Sequence, residues 1–128
     1  MPTEANSLSC IALDDNELFL MKIKSFLEEI PQVQLLGTYN NPIKGATAIV
    51  NQFPDLVITD LEMPYMDGYN LLDWILPMLS DMKKKPKIVV ISGNSEIMQH
   101  NHPDILTHIR KGSLNSAEDL KVQLSDLL

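Results

Sequence analysis

Apolar and polar positions follow two rhythms along this chain. Short apolar runs stand at Leu8–Leu13, Val33–Thr38, Leu56–Thr59, Lys87–Ile91 and Ile105–Ile109, each the length of a strand. Between them the apolar positions take helical spacing. Phe19, Ile23, Phe26 and Ile30 recur at intervals of four, three and four, one helix face closed before Pro31. Asn41-Pro42 opens a second helix, Ile43 to Gln52, that stops before Pro54. After the turn chemistry of Pro64 and Asp67-Gly68, Leu71, Ile75, Met78 and Met82 mark a third. Pro77 inside it removes one backbone hydrogen bond and predicts a kink or an early end. Ala117, Leu120, Leu124 and Leu127 stripe a last helix, with Ser116 and Asp119 as its capping pair.

Strand and helix in repeated alternation predict an α/β fold, a single doubly wound (βα)5 domain with a five-stranded parallel sheet. Lys87–Ile91, the most β-branched run, reads as the central strand. In such sheets ligands bind beyond the carboxyl ends of the strands. The residues expected there are Asp14-Asp15, Asp60, Ser92 and Lys111.

Composition narrows the setting. A chain of 128 residues, 45% hydrophobic and 21% charged, is one globular domain with enough length for a core. Its single cysteine, Cys10, excludes an internal disulfide, and no Cys/His cluster suggests structural zinc. Met1–Ser7 lacks the basic start of a signal peptide, and no apolar run reaches the roughly 18 residues of a membrane span. A soluble cytoplasmic protein with no membrane contact is expected. The net charge of −7 lies entirely in residues 1–70, which hold ten acidic and three basic side chains. That field repels phosphate backbones and argues against direct nucleic-acid binding by this domain. Lys83-Lys84-Lys85-Pro86-Lys87, the one basic block, reads as a solvated helix end rather than a contact for an acidic partner.

The residues at the strand ends form a chemically coherent set. Three carboxylates from two strands repel one another, and a hard divalent cation such as magnesium resolves the conflict. A lysine and a hydroxyl beside them suit a phosphoryl group carried on a carboxylate. Asp60 is then the nucleophile, with the metal and Lys111 neutralising the phosphoryl oxygens and Ser92 donating a hydrogen bond to one of them. Each residue alone has an ordinary structural reading: a helix cap for Asp14 or Asp15, a turn for Ser92, a surface cation for Lys111. Their placement on one sheet edge favours the functional one.

From Cys10-Ile11-Ala12-Leu13-Asp14-Asp15-Asn16-Glu17 to the final helix, the chain resembles the receiver domain of two-component response regulators. The most specific stretch is Leu56-Val57-Ile58-Thr59-Asp60-Leu61-Glu62-Met63-Pro64-Tyr65-Met66-Asp67-Gly68, similar to the family's phosphoacceptor strand and loop. Ile30–Thr38 followed by Asn41-Pro42 is also similar to receivers attached to LytTR-type DNA-binding domains. The resemblance implies a receiver over residues 1–128 with the flavodoxin-like strand order 2-1-3-4-5. It implies that Asp60 accepts a phosphoryl group from a sensor histidine kinase or phosphotransfer protein, or slowly from acetyl phosphate. Mg²⁺ is then held by Asp14, Asp15, Asp60 and the backbone carbonyl of Glu62. Lys111 binds the phosphoryl group and Ser92 moves toward it. That movement draws in a switch side chain at the position of His108 and remodels the face beside the last strand. The implied role is a switch acting on an output domain or downstream protein, with homodimerisation common in the family. It is no enzyme beyond its own phosphorylation and slow hydrolysis.

Three departures from the family pattern qualify this. Lys111 is followed by Gly112 where the family has a proline after a cis bond, which predicts a mobile loop and a loosely aimed lysine. His108 reads first as a partly buried histidine with a satisfied hydrogen bond, and second as a source of pH dependence. Ser95–Asp104, interrupted by Asn101-His102-Pro103, holds about two helical turns at most, so the usual signalling face is reduced. Within it His100 and His102 have no third ligand for a metal. Glu62 and Asn94, two residues past Asp60 and Ser92, flank the route of a hydrolytic water. Two rivals remain. A phosphatase of the haloacid-dehalogenase type wants a second aspartate where Glu62 stands, and a degenerate receiver serves as a phosphate-independent interaction module.

Overall fold

The computed structural model describes residues 7–60, 73, 77, 85–93 and 105–128. They form β1 (Leu8–Leu13), α1 (Glu17–Glu28), β2 (Val33–Tyr39), α2 (Pro42–Gln52), β3 (Leu56–Asp60), β4 (Lys87–Ser92), β5 (Ile105–Arg110), a 3₁₀ turn (Lys111–Ser113) and α3 (Ala117–Gln123). The strands make one parallel sheet in the order β2-β1-β3-β4-β5. This is the doubly wound order expected. The central strand, however, is β3 rather than β4. Both are paired on two edges and buried on two faces, so β-branched content marks an interior strand without telling which one.

Alternation along the strands sends successive side chains to opposite sides of the sheet and builds two cores. Cys10, Ala12, Leu56, Ile58, Val89, Ile91 and Ile109 face Leu20, Ile23 and Leu27 of α1 and Leu114, Leu120 and Leu124 around α3. Ile11, Leu13, Val57, Ile88 and Val90 face Ala46, Ala48 and Ile49 of α2. Gly45 is what lets α2 come so near β1. A Cβ there would stand 2.1 Å from Leu13 Cδ2 and 2.6 Å from its Cγ, and Leu13 is itself buried.

The helix ends follow their cap residues. Asn16 Oδ1 accepts the Phe19 N–H at 3.1 Å, and Asn41 Oδ1 accepts the N–H groups of Ile43 and Lys44 at 2.8 and 3.2 Å, with Pro42 in the first turn. Ser116 accepts the Asp119 N–H at 3.1 Å, as predicted, while Asp119 Oδ2 accepts the Asn115 N–H at 2.9 Å. At the other end α2 closes on Phe53 in the left-handed region (φ 49°), a place usually taken by glycine or asparagine.

The last helix is shorter than its apolar stripe suggests. After Gln123 the chain tightens, with Ser125 N–H donating to the Val122 carbonyl and Leu127 N–H to that of Leu124. Leu124 stays buried and Leu127 still packs on the core, so the stripe is used even though the helix stops. Of the helix expected from Leu71 to Met82, Asp73 and Pro77 are helical and exposed, and the rest, with the kink, lies outside the described residues. So do Glu62, Asn94, His100, His102 and most of Ser95–Asp104. At the basic block, Lys85 and Lys87 are exposed.

Candidate functional site at the carboxyl edge of the sheet

The site begins where β1 ends. The N–H of Asp14 continues the ladder, donating to the Tyr39 carbonyl at 3.1 Å, and its Oδ1 accepts the Asn16 N–H at 2.8 Å. This Asx-type turn redirects the chain into α1 and fixes the carboxylate. Asp15 follows, exposed. Asp60 is the last residue of β3, opposite Ile91, and Ser92 is the last of β4, opposite Arg110. Asp14, Asp60 and Ser92 are 3%, 5% and 1% exposed. Thr59, fully buried, donates its hydroxyl to the Asp60 carbonyl at 3.0 Å and so helps fix the strand end.

One oxygen from each of Asp14, Asp15 and Asp60 lies within 4.8 Å of the other two. Into this cluster reaches Lys111 from the turn after β5, its Nζ 2.9 Å from Asp14 Oδ2 and 3.6 Å from Asp60 Oδ2. The closer contact is an ion pair whose angles fall outside hydrogen-bond geometry, which leaves Asp14 Oδ2 buried without an aligned donor. Burial acts to lower the Lys111 pKa, but the adjoining carboxylate of Asp14, and then that of Asp60, raise it above the ordinary 10.5. Two of the three carboxylates thus contact one ammonium. A cluster of hard oxygen donors, one of them a buried atom without an aligned hydrogen bond among the described residues, fits a small divalent cation such as Mg²⁺.

All the strand-end residues singled out in the sequence are at this edge. Glu62 lies outside the described residues. His108 faces the α2 side of the sheet, opposite Val90. The residue is partly buried, and its Nδ1 has no hydrogen-bond partner among the described residues. Burial lowers its pKa below 6.5, which keeps the ring neutral at pH 7. Nor is Lys111 loosely placed. The peptide to Gly112 is trans, Gly112 does not use a positive φ, and nothing stands within 4 Å of where its Cβ would be. The lysine is held instead by the two aspartates and by the ring of Phe19, whose centroid lies 4.6 Å from Nζ. In the sequence Phe19 reads only as part of a core stripe. Its second role has no local signal, because it depends on a residue 92 positions away.

Known proteins share the sequence pattern and the fold of this chain. The response regulator receiver domain model matches residues 10–111. The chain is 36% identical over 87 residues to a protein-glutamate methylesterase/protein-glutamine glutaminase of Geobacter sulfurreducens, covering 67% of this chain and 22% of that protein. It is 33% identical over 82 residues to the transcriptional regulatory protein LiaR of Bacillus subtilis, covering 64% and 37%. The chain therefore spans well under half the length of these relatives. Among solved structures, the isolated receiver domain of RcsB from Salmonella enterica serovar Typhimurium, in the presence of the phosphomimetic BeF₃⁻, superposes with a TM-score of 0.76 at 25% identity, covering 95% of this chain and 88% of that one. The receiver domain of NarL from Mycobacterium tuberculosis shares the fold, with a TM-score of 0.72 at 17% identity and coverage of 95% and 96%. A sheet in the order 2-1-3-4-5, an aspartate cluster at its carboxyl edge and a family match over most of its length make this chain a member of the response regulator receiver domain family.

Proposed function

We propose that Asp60 is the phosphoacceptor of this receiver and that the domain works as a two-component switch. A carboxylate oxygen of Asp60 attacks the phosphorus of a phosphohistidine on a sensor kinase or phosphotransfer protein. The P–O bond forms as the P–N bond breaks, and the histidine nitrogen keeps the electron pair. Asp14, Asp15, Asp60 and the Glu62 carbonyl would hold Mg²⁺, which would supply positive charge against the phosphoryl oxygens. Lys111 adds a second positive charge and Ser92 a hydroxyl donor. The observation that carries this reading is the pairing of three clustered carboxylates with one ammonium that already contacts two of them.

Signalling follows from a shift between two packings, which the phosphoryl group has to favour by only a few kcal/mol. Ser92 at the end of β4 and His108 on the neighbouring β5 are the residues that move. The receiver acts on an output domain or a partner protein in the cytoplasm, and the chemistry is stoichiometric self-modification rather than turnover. Among the described residues no helix is long and apolar enough to cross a membrane.

Intact-mass spectrometry after incubation with acetyl phosphate and Mg²⁺ tests this directly. Wild type is expected to gain one phosphoryl adduct that hydroxylamine removes, and Asp60→Ala none. An adduct that survives in Asp60→Ala would move the acceptor elsewhere. No adduct on wild type, either from acetyl phosphate or from a phosphorylated histidine phosphotransfer protein, would leave a phosphate-independent interaction module as the better reading.

A further inference from the structure

The lysine of this site stands on a short turn held by its own bonds, Ser113 Oγ donating to the Arg110 carbonyl at 2.8 Å and the Leu114 N–H to the Lys111 carbonyl at 3.1 Å. Lys111 opens the 3₁₀ turn, Arg110 before it makes no side-chain cap bond, and Gly112 after it leaves open space. These bonds fix the backbone, and along the side chain a Cβ on Gly93 would stand 4.0 Å from Lys111 Cδ. The ammonium is placed within 2.9 Å of one carboxylate and 3.6 Å of another. The Phe19 ring is a further neighbour, its centroid 4.6 Å from Nζ, inside the range where the quadrupole of an aromatic face attracts a cation.

Phe19 is itself firmly held. Its N–H is bonded to the cap residue Asn16, whose own N–H is bonded to Asp14, and its ring packs against the core cluster beneath α1. Lys22 also approaches Phe19, at 5.9 Å, but it stands as near to Phe26, at 5.8 Å, so its charge is divided between two rings near the limit of the interaction. Lys111 has the closer place.

We propose that Phe19 is a positioning residue for the phosphoryl-binding lysine: its ring holds the Lys111 ammonium over the acidic cluster, a task the backbone around Gly112 does not perform. The first turn of α1 then serves the site twice, fixing Asp14 through Asn16 and aiming Lys111 through Phe19. The catalytic consequence rests on the function proposed above. The contact itself does not.

The test compares wild type with Phe19→Leu, which keeps an apolar side chain on the core but removes the ring, and Phe19→Trp, which restores an aromatic face. In the protein without phosphoryl donor or metal, the Lys111 ε-methylene protons of wild type are expected upfield of their usual NMR position through the ring current, with restricted motion of Cε. Phe19→Leu should return both to values of a free lysine, and Phe19→Trp should restore them, while thermal melts confirm that each variant is folded. Phosphorylation of Asp60 by acetyl phosphate should slow about three- to tenfold in Phe19→Leu and recover in Phe19→Trp, in keeping with the strength of a partly buried cation–π contact. Unshifted methylene protons in wild type, or an unchanged Lys111 in Phe19→Leu, would overturn the proposal. So would a lost contact with no change in rate. If wild type takes no phosphoryl group, the proposed function fails, and the methylene signals still decide whether Phe19 holds Lys111.

Discussion

The two ends of the same sheet hold their aspartates in different ways. At the amino end, the partly buried Asp55 stands between β1 and β4 and is bonded to both. Its Oδ2 accepts both the N–H and the hydroxyl of Ser9, at 2.9 and 3.0 Å. Its N–H donates to Ser9 Oγ and to the Ser9 carbonyl, and its own carbonyl accepts the Lys87 N–H at 2.8 Å. The loose end found nearby is Gln32 Oε1, a neutral carbonyl. At the carboxyl end, three carboxylates cluster, one ammonium contacts two of them, and Asp14 Oδ2 is buried without an aligned donor among the described residues. Directed hydrogen bonds hold the first group, whereas the second combines like charges with a less directed ion pair.

Substitutions can sharpen or break this contrast. The largest effect is expected at the amino end. Asp55→Ala strips Ser9 of two charge-assisted hydrogen bonds and should cost about 3 kcal/mol in urea unfolding, with Mg²⁺ binding unchanged. A loss close to zero would mean that water replaces this carboxylate freely. At the carboxyl end, Mg²⁺ at a hundred times its dissociation constant should stabilise the fold by about 2.7 kcal/mol through mass action. The rise in melting temperature should vanish in Asp15→Ala, and an equal rise in that variant would place the cation elsewhere. Asp60→Asn removes one of three like charges. In chelator-treated protein it should therefore stabilise by about 1 kcal/mol, net of the weakened contact with Lys111. A clear loss of stability would show that the cluster is satisfied as it stands.

Two smaller effects concern the last strand and its turn. Gly112→Ala meets no neighbour and no unusual φ, so reduced freedom of the unfolded chain should stabilise by about 0.4–1 kcal/mol. Destabilisation in thermal melts would mean that the turn needs glycine after all. The smallest effect is the pH response of His108. Its folded-state pKa lies below 6.5, so the unfolded chain takes up the proton first. Its contribution is complete above pH 6.5 and is lost as pH falls below that value. Stability curves of wild type and His108→Phe should therefore diverge on acidification, wild type falling faster, and parallel curves would show that His108 titrates alike in both states.

Much of this was legible in the chain. Five apolar runs, the helix-opening Asn41 and the Ser116–Asp119 pair mark the strands and two of the caps, because strand alternation and N-cap chemistry act within a few residues, whereas the first helix is capped by Asn16 rather than by Asp14 or Asp15. The strand-end residues could be located for the same reason, since each closes or follows a run that can be counted. What local reasoning missed depends on distant partners. Gly45 reads as an ordinary break in a helix until Leu13 is seen beneath it. Gly112 suggested a wandering lysine, but the side chain is held from α1, on the far side of the sequence. β4 looked central because composition reports how much of a strand is covered and says nothing about its rank among neighbours.

The position of β5 also has a bearing on how the chain folds. All four strand pairs are parallel, so each joins segments that are separated along the sequence and must wait for a loop to close. Lys111 directly follows the outermost strand on its side and belongs to the last part of the chain. A partly assembled sheet of β1, β2 and β3 therefore brings Asp14, Asp15 and Asp60 together with no cation between them. Docking of β5 brings Lys111 to them, so the repulsion among these carboxylates favours completing the sheet.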